Sequence, residues 1–188
     1  MSIAVLSRAY PTPENKYNYT FVHRRATRYK ETNEVNVYVP NDEIEIAYDF
    51  EDVSVTVSNQ DDIVERIASS KPDALFVHTP ISKWLSLSFD MLEIAKQVYE
   101  RVVPYAVWIH GHEALLKQLY HPPEQFEGLP KSPYEVLWVV RRALQLYEIR
   151  NFLRYSDRRG LPTVFVSEWL RKSVEKSLLM KIDNYRII

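Results

Sequence analysis

Along this chain, short apolar runs alternate with longer segments in which apolar residues recur every three or four positions. The short runs are rich in β-branched and aromatic residues, as in strands of a parallel sheet, and the longer segments have the spacing of amphipathic helices. The predicted strands are Ile3–Ser7, Val35–Pro40, Ile44–Ala47, Val53–Val57, the part of 71–80 that ends at His78, Val103–Ile109, Pro162–Ser167 and Tyr185–Ile188. The predicted helices run from about Tyr19 to Lys30, Asp61 to Ser69, Ser88 to Arg101, Pro133 to Tyr155 and Glu168 to Leu179. Strands that alternate with helices predict an α/β fold in which a parallel sheet is flanked by helices.

The most concentrated polar chemistry follows one of these strands. The buried run Val103–Ile109 ends abruptly at His110, Gly111, His112 and Glu113, and helical spacing follows. In an open α/β sheet, ligands bind in the crevice outside the carboxyl ends of the strands, so this tetrapeptide is a candidate binding segment. The alternative is that Gly111 makes a turn and its neighbours cap the next helix.

The length of 188 residues is close to that of one typical domain, and we expect a single domain over 1–188. The net charge of −1 neither requires nor excludes nucleic acid, and no nucleic-acid partner is predicted. The charge is unevenly distributed: residues 131–188 hold 12 Lys and Arg against 6 Asp and Glu, so this part carries +6 and the rest −7. This asymmetry predicts either an anionic ligand or surface near the C-terminal third, or a solvated basic helix face.

Composition excludes several classes of site. The chain has no cysteine, which excludes disulfides, thiol nucleophiles and cysteine-based metal sites. With three glycines, at 111, 128 and 160, neither the G-x-G-x-x-G nor the P-loop motif can be written, and no G-x-S-x-G elbow occurs. No apolar run approaches the roughly 20 residues of a membrane span, and no signal-peptide pattern is present. We therefore expect a cytoplasmic protein, with peripheral attachment to the inner face of the membrane as a further possibility.

Three segments resemble parts of a known family. They are the opening strand and proline-containing loop at residues 3–13, the strand Val103–Ile109 with His110 behind it, and the strand–serine–helix segment from Thr163 to Glu175. Together they resemble the N-terminal domain of a GT-B glycosyltransferase, most closely the family 4 retaining enzymes. The resemblance implies a Rossmann-like domain on the acceptor side of the enzyme. It also implies that the C-terminal nucleotide-sugar domain is absent from this chain, whose last predicted strand begins only at Tyr185.

The resemblance gives His110 the central role. It implies that His110 faces the transferred sugar and hydrogen-bonds one of its hydroxyl groups, which suits an imidazole because it both donates and accepts near neutral pH. The family's first loop carries a Gly-Gly pair near the donor diphosphate, but here the corresponding stretch is 15–19. Lys16 and Asn18 are therefore the predicted donor contacts in that loop, together with Gly111.

Acceptor contacts are predicted around the same edge of the sheet. If the sheet is parallel, Ser7, His78, His110 and Ser167 end strands at one edge and line one cleft, over which we expect the loop 8–19 to fold. The predicted acceptor-binding residues are Tyr10, His78, Thr79, His112 and Glu113. Glu113 has the alternative of complementing a helix dipole. His23 is interpreted as part of a solvated helix face, and Leu137, Val140, Leu144 and Tyr147 as core.

The predicted function is transfer of a sugar from a nucleotide-sugar donor to a glycan or lipid-linked acceptor, without a cofactor or a metal. No Asp-x-Asp motif, the metal-binding signature of GT-A enzymes, is present. Six arginines in and after the long helix could meet anionic lipid head groups: Arg141, Arg142, Arg150, Arg154, Arg158 and Arg159. Two alternatives remain: a non-catalytic α/β binding or scaffold module, and a metal hydrolase that binds zinc through His78, His110 and His112.

Overall fold

The computed structural model of this chain describes residues 1–82, 89–111, 114–115 and 133–188, without the side chains of 134 and 135. The strands are β1 (Ser2–Ser7), β2 (Glu34–Pro40), β3 (Ile46–Phe50), β4 (Val53–Ser58), β5 (Ala74–His78), β6 (Tyr105–Ile109), β7 (Thr163–Phe165) and β8 (Tyr185–Ile187). The helices within these ranges are α1 (Thr20–Lys30), α2 (Gln60–Ser70), α3 (Met91–Glu100), α4 (Pro133–Asp157) and α5 (Glu168–Leu178).

The strands form one sheet in the order β3-β4-β2-β1-β5-β6-β7-β8. Neighbouring strands are parallel except for β3, which pairs antiparallel with β4. The predicted α/β fold, a Rossmann-like parallel sheet flanked by helices, is therefore confirmed.

The edge strand β3 lies further along the chain than predicted, at Ile46–Phe50 instead of Ile44–Ala47. A two-residue turn, Glu51-Asp52, joins it to β4, and both turn residues have positive φ. Such a turn matches the twist of a hairpin and fixes the register, which pairs Phe50 with Val53. The prediction placed this strand too early because neither residue of the turn is a glycine or an asparagine, the usual signals for it.

The two faces of the sheet carry separate cores. On one face, Val22 and Ala26 of α1 pack against the valines of β1, β2 and β4. On the other face, Leu6, Leu75 and Val107 pack against apolar residues of α2, α3, α4 and α5. This division follows from the alternation of side chains along each strand. Among the described helices, α1 is therefore the one that packs on the face of the sheet that carries Phe76, His78 and Trp108.

The long helix α4 packs against the sheet through a different set of residues from the predicted one. Leu137, Val140 and Tyr147 are 56%, 48% and 59% exposed, so the prediction that they belong to the core was wrong. The buried side of α4 comprises Arg142, Gln145, Leu146, Ile149, Phe152, Leu153 and Ser156. Apolar residues occur on both sides of this helix, and sequence spacing alone does not say which side meets the sheet. Arg142 is 3% exposed, so the prediction that it could meet lipid head groups was wrong.

Candidate functional site

The site lies where the strand order changes direction. From β1 the chain continues to β2 and β4 on one side of the sheet, and from β5 it continues to β6, β7 and β8 on the other. β1 and β5 are neighbours, and their carboxyl ends are aligned because Ser7 pairs with His78 and His78 pairs with Trp108. A crevice outside the carboxyl ends at such a switch point is where ligands bind in open α/β sheets.

Two histidines meet at this edge. Nδ1 of His78 lies 2.9 Å from Nε2 of His110, at hydrogen-bond distance. One of these nitrogens donates and the other accepts, so the bond holds only one proton between the two rings. His78 is fully buried, and its ring lies nearly parallel to the rings of Trp108 and His110, with both ring centroids 5.2 Å away, whereas His110 is half-buried.

Helix α1 supplies the other side chains around this pair. The ring of Phe21, at the start of α1, lies 4.7 Å from that of His110, and Phe21 is 41% exposed. One turn later, the guanidinium carbon of Arg25 lies 4.4 Å from the ring centroid of Trp108, in cation–π contact. We call the five residues Phe21, Arg25, His78, Trp108 and His110 the histidine cluster.

Both histidines of this cluster are held neutral. Burial and, to a smaller extent, the positive charge of Arg25 together lower the pKa of His110 to about 4. Burial also lowers the pKa of His78 well below its usual value, with added contributions from His110 and Arg25. Near neutral pH, each imidazole therefore keeps one donor and one acceptor nitrogen, the state needed to bind a hydroxyl group without charge.

The lowered pKa values predict that acid destabilises the fold. Between pH 6.5 and about 4, the unfolded chain binds protons that folded His110 does not, so the free energy of unfolding falls as the pH falls through this window. For His110 alone the complete shift corresponds to as much as ~3 kcal/mol. Urea denaturation of the wild type and His110→Gln across this range measures the effect. The variant should show the shallower dependence, and identical slopes would contradict a buried neutral His110.

Three polar atoms near the pair have no hydrogen-bond partner among the described residues. They are Nε2 of His78, Oγ1 of Thr79 and Nε1 of Trp108. Thr79 also has a φ of 57°, an uncommon value for a β-branched residue that costs on the order of 1–3 kcal/mol. Its amide donates to the carbonyl of Trp108 at 3.2 Å, which fixes the turn at the end of β5. Unsatisfied polar groups and backbone strain concentrate at functional sites more often than elsewhere.

The structure brings some predicted site residues together. His78, Thr79 and His110 lie at one edge, with Gly111 next to His110. Gly111 does not have positive φ, and a Cβ there would meet no described atom within 4 Å. Its own backbone and described neighbours therefore do not require a glycine. His112 and Glu113 lie outside the described residues.

The loop 8–19 places Tyr10 in the core and not at the histidine pair. Tyr10 is 2% exposed, and its ring packs edge-on against Phe50 on the far side of α1. Lys16 is exposed and borders a different groove, which α1 forms with Glu51 and Phe50. Asn18 is half-buried at the end of the same loop. The prediction that Tyr10 contacts a ligand in the cleft was therefore wrong, because the ring of Tyr10 contributes to the core.

Ser7 and Ser167 also end strands at this edge, but their side chains are used locally. The hydroxyl of Ser7 donates to the carbonyl of Ala9 at 2.8 Å, and Ser7 is fully buried. The hydroxyl oxygen of Ser167 accepts from the amide of Leu170 at 3.1 Å, which caps α5. Both serines thus shape the edge of the sheet instead of presenting free hydroxyl groups.

A second set of hydrogen-bonded polar side chains, which the sequence did not predict, lies beneath α1. The hydroxyl of Tyr10 lies 2.8 Å from Nδ1 of His23, and Nε2 of His23 lies 2.9 Å from a carboxylate oxygen of Glu51. His23 is 6% exposed, so its assignment to a solvated helix face was wrong. The burial of His23 is possible because Tyr10 and Glu51 satisfy both ring nitrogens. Its position just before Arg24, Arg25 and Arg28 in the sequence gave no signal of these partners.

The sequence also did not identify Arg25 and Phe21 as members of the histidine cluster. Their spacing of four residues places them on one side of α1, next to each other. Which side of α1 meets β5 and β6 depends on how the helix packs, and its sequence alone does not determine this. Among the described residues, no group of three His, Asp or Glu side chains is arranged to hold a metal ion. His112, part of the proposed zinc set, is outside that range.

No protein-family model matches this chain, and no curated protein matches it in sequence. Solved structures with a similar fold include a UDP-N-acetylglucosamine 4-epimerase from Bacillus cereus, at 16% identity and a TM-score of 0.44 over 87% of this chain and 54% of that one. A UDP-forming α,α-trehalose-phosphate synthase from Burkholderia vietnamiensis has 9% identity and a TM-score of 0.47 over 93% and 42%. The PbgP3 protein from Burkholderia pseudomallei has 14% identity and a TM-score of 0.44 over 87% and 51%.

The chain thus spans about half the length of these three structures. Similarity at this level does not carry a function, a substrate or a site from one protein to another. The proposed function therefore depends on the geometry of the histidine cluster.

Proposed function

We propose that this chain is the acceptor-side half of a retaining glycosyltransferase, which moves a sugar from a nucleotide-sugar donor to a glycan or lipid-linked acceptor. The observation that supports it most strongly is the neutral His78–His110 pair at the carboxyl ends of β5 and β6, beside the switch point of the sheet. A second domain, beyond these 188 residues, would supply most donor contacts. In this proposal Lys16, Asn18 and Gly111 contact the donor.

His110 is proposed as the catalytic residue. Its half-buried ring lies at the carboxyl edge of the sheet, directly after β6, and its hydrogen bond to His78 fixes the orientation of the imidazole. A neutral, oriented ring can hydrogen-bond a sugar hydroxyl and help to orient the anomeric carbon, and positioning of this kind accounts for much of enzymatic rate enhancement. Arg25 adds positive charge close to the place where the bond from sugar to phosphate would break.

His78 acts in this proposal as a positioning residue. Its side chain is fully buried, so in this structure it reaches the crevice through His110 and not by direct contact. Thr79, His112, Glu113 and Tyr10 were predicted as acceptor contacts. Of the two that the structure describes, Tyr10 belongs to the core, and Thr79 is the one we propose, with a buried hydroxyl at the strand end that has no partner among the described residues.

The burial of His78 also favours a second candidate function. A scaffold or binding module without catalysis would pack its strand-end histidines into the interior, and His78 is packed in this way beside Trp108 and His110. The two candidates differ at His110, since only the catalytic one requires an accessible ring.

A sugar-transfer assay decides between them. The protein encoded by the complete reading frame should transfer radiolabelled sugar from at least one of UDP-glucose, UDP-N-acetylglucosamine and GDP-mannose to a glycan or lipid-linked acceptor. The 188-residue chain alone should have little or no activity, because the donor contacts are proposed to lie mainly in the second domain. A protein from the complete reading frame that is folded but inactive with every donor would favour the scaffold function.

We also propose that the basic C-terminal third touches an anionic membrane surface, as a peripheral attachment at the cytoplasmic face. Among the described helices, none is both long enough and apolar enough to cross a membrane. Arg154, Arg158 and Arg159 are exposed near the end of α4, next to its exposed apolar side. Each such residue contributes about 1 kcal/mol near an anionic surface.

Replacement of Arg158 and Arg159 by alanine tests the membrane proposal. The double variant should bind vesicles that contain phosphatidylserine at least ~10-fold more weakly, and it should keep its turnover on a soluble acceptor. Co-sedimentation with vesicles measures the binding, and vesicles of phosphatidylcholine alone are the control. Equal binding of the wild type and the variant would exclude these arginines as a membrane contact.

A further inference from the structure

A groove of about 330 Å³ lies along α1 next to the histidine cluster. It is lined by Phe21, Arg24, Arg25, Arg28 and Tyr29. Phe21 is also the ring in contact with His110, so the groove and the histidine pair share one wall. A volume of this size is at the lower end of the range of small-molecule sites, roughly 300–1,000 Å³.

The positive charge in this groove is almost uncompensated. No carboxylate lies within ion-pair distance of Arg24 or Arg25 in the parts of the chain that the structure describes. Arg28 approaches Glu31 at 3.9 Å, but both side chains are mostly exposed, and such a pair contributes little. Three guanidinium groups thus border a small concave surface that has no acidic residue in its lining.

Arg25 is held in place more firmly than its two neighbours. It is half-buried, its guanidinium group lies over the ring of Trp108, and the hydroxyl of Tyr29 is close by. Burial raises the pKa of Tyr29 to about 12, and the positive charge of Arg25 opposes this rise. A guanidinium group that is already oriented loses less conformational freedom when it binds an anion.

We propose that this groove binds a phosphoryl group of a sugar substrate. The proposal rests on the sugar-transfer function, and it adds an anionic substrate subsite built from Arg24, Arg25 and Arg28. A planar guanidinium group donates two parallel N–H bonds to phosphate oxygens, which makes arginine the preferred residue for such groups. A phosphomonoester carries a charge of about −1.5 to −2 at neutral pH and matches the uncompensated charge of the groove.

Two kinds of substrate bring a phosphoryl group to this position, namely a sugar phosphate as acceptor and the diphosphate of the nucleotide-sugar donor. Isothermal titration with glucose 6-phosphate, UDP-glucose and unphosphorylated glucose separates them. The protein should bind at least one phosphorylated probe and should bind glucose much more weakly or not at all. Preference for glucose 6-phosphate assigns the groove to the acceptor, and preference for UDP-glucose assigns it to the donor.

The arginines are tested by substitution. Arg24→Gln/Arg28→Gln should weaken binding of the phosphorylated probe by ~10-fold or more, because each substitution removes a charge-assisted hydrogen bond to the phosphoryl group. Arg25→Lys keeps the charge but removes the planar fork, and it should also weaken binding by ~10-fold. The matched control is Lys172→Gln/Lys176→Gln, which removes the same charge from exposed positions on α5 and should leave the affinity unchanged.

Two titration results would overturn this inference: a protein that binds no phosphorylated probe more tightly than glucose, or an equal loss of affinity in the α1 variant and the α5 control. The second result would mean a general effect of net charge. The sugar-transfer function can fail separately. In that case the arginines of α1 bind the phosphorylated probe, but the protein transfers no sugar. Conversely, if sugar is transferred at the same rate in Arg24→Gln/Arg28→Gln as in the wild type, the phosphoryl subsite is rejected and the sugar-transfer function stands.

Discussion

His110→Ala should lower the turnover of the sugar-transferring protein by ~100-fold or more, the usual scale for loss of a positioned polar catalytic group. The sequence alone predicts that folding stays nearly intact, but the structure changes that expectation. His110 is the hydrogen-bond partner of Nδ1 of His78, which is fully buried. Removal of the ring leaves this nitrogen unpaired and should lower the free energy of unfolding by about 1–3 kcal/mol.

His110→Gln separates the two effects. The amide of glutamine reaches about as far as Nε2 of histidine, so it can keep a hydrogen bond to His78 while it removes the imidazole. We expect this variant to unfold within ~1 kcal/mol of the wild type and still to lose ~100-fold in turnover. Steady-state kinetics and urea denaturation on the same preparation measure both quantities. Full turnover in His110→Gln at normal stability would make His110 a structural residue.

Gln145→Met should lower the free energy of unfolding by about 3–5 kcal/mol, because three buried polar groups lose their partner at once. The side-chain oxygen of Gln145 accepts from the amide of Ser82 at 2.9 Å and from its hydroxyl at 2.6 Å, and its nitrogen lies 3.4 Å from the carbonyl of Pro80. Gln145 and Ser82 are both fully buried. Methionine fills a similar volume, so the loss would measure the hydrogen bonds and not a cavity.

The matched control is Gln97→Met on α3. The side-chain nitrogen of Gln97 donates to Glu93 at 3.2 Å on a partly exposed helix surface, where such a pair contributes only a few tenths of a kcal/mol. Urea denaturation compares the two variants, and hydrogen exchange at the amide of Ser82 should accelerate only in Gln145→Met. Equal stabilities would mean that α4 does not anchor the segment after β5, which follows directly on His78 and Thr79.

The sequence predicts the order of strands and helices well because buried parallel strands are continuous β-branched and aromatic runs that few other structures tolerate. The strand ends could also be predicted, since the ends of parallel strands meet at one edge, and His78 and His110 do meet there. The edge strand β3 was misplaced because its turn uses Glu51 and Asp52 at positive φ, which residue preferences disfavour.

What the sequence does not reveal is how each helix is rotated against the sheet. The exposed stripe with Leu137 and Tyr147 has the same spacing as a core-facing stripe, and only tertiary packing distinguishes them. For the same reason the sequence did not place Arg25 over Trp108. His23 shows a related limit: a histidine can be buried when partners from distant segments, here Tyr10 and Glu51, satisfy both of its nitrogens.

The central claim is that the ring of His110 meets the substrate at the carboxyl edge of the sheet. Histidine ring-nitrogen NMR measures this directly, with the protein from the complete reading frame titrated with UDP-glucose and acceptor. The account predicts that the ring nitrogens of His110 shift on saturation, that those of His78 follow through their shared hydrogen bond, and that both rings stay neutral at pH 7. Saturable substrate binding that leaves both rings unchanged would contradict it.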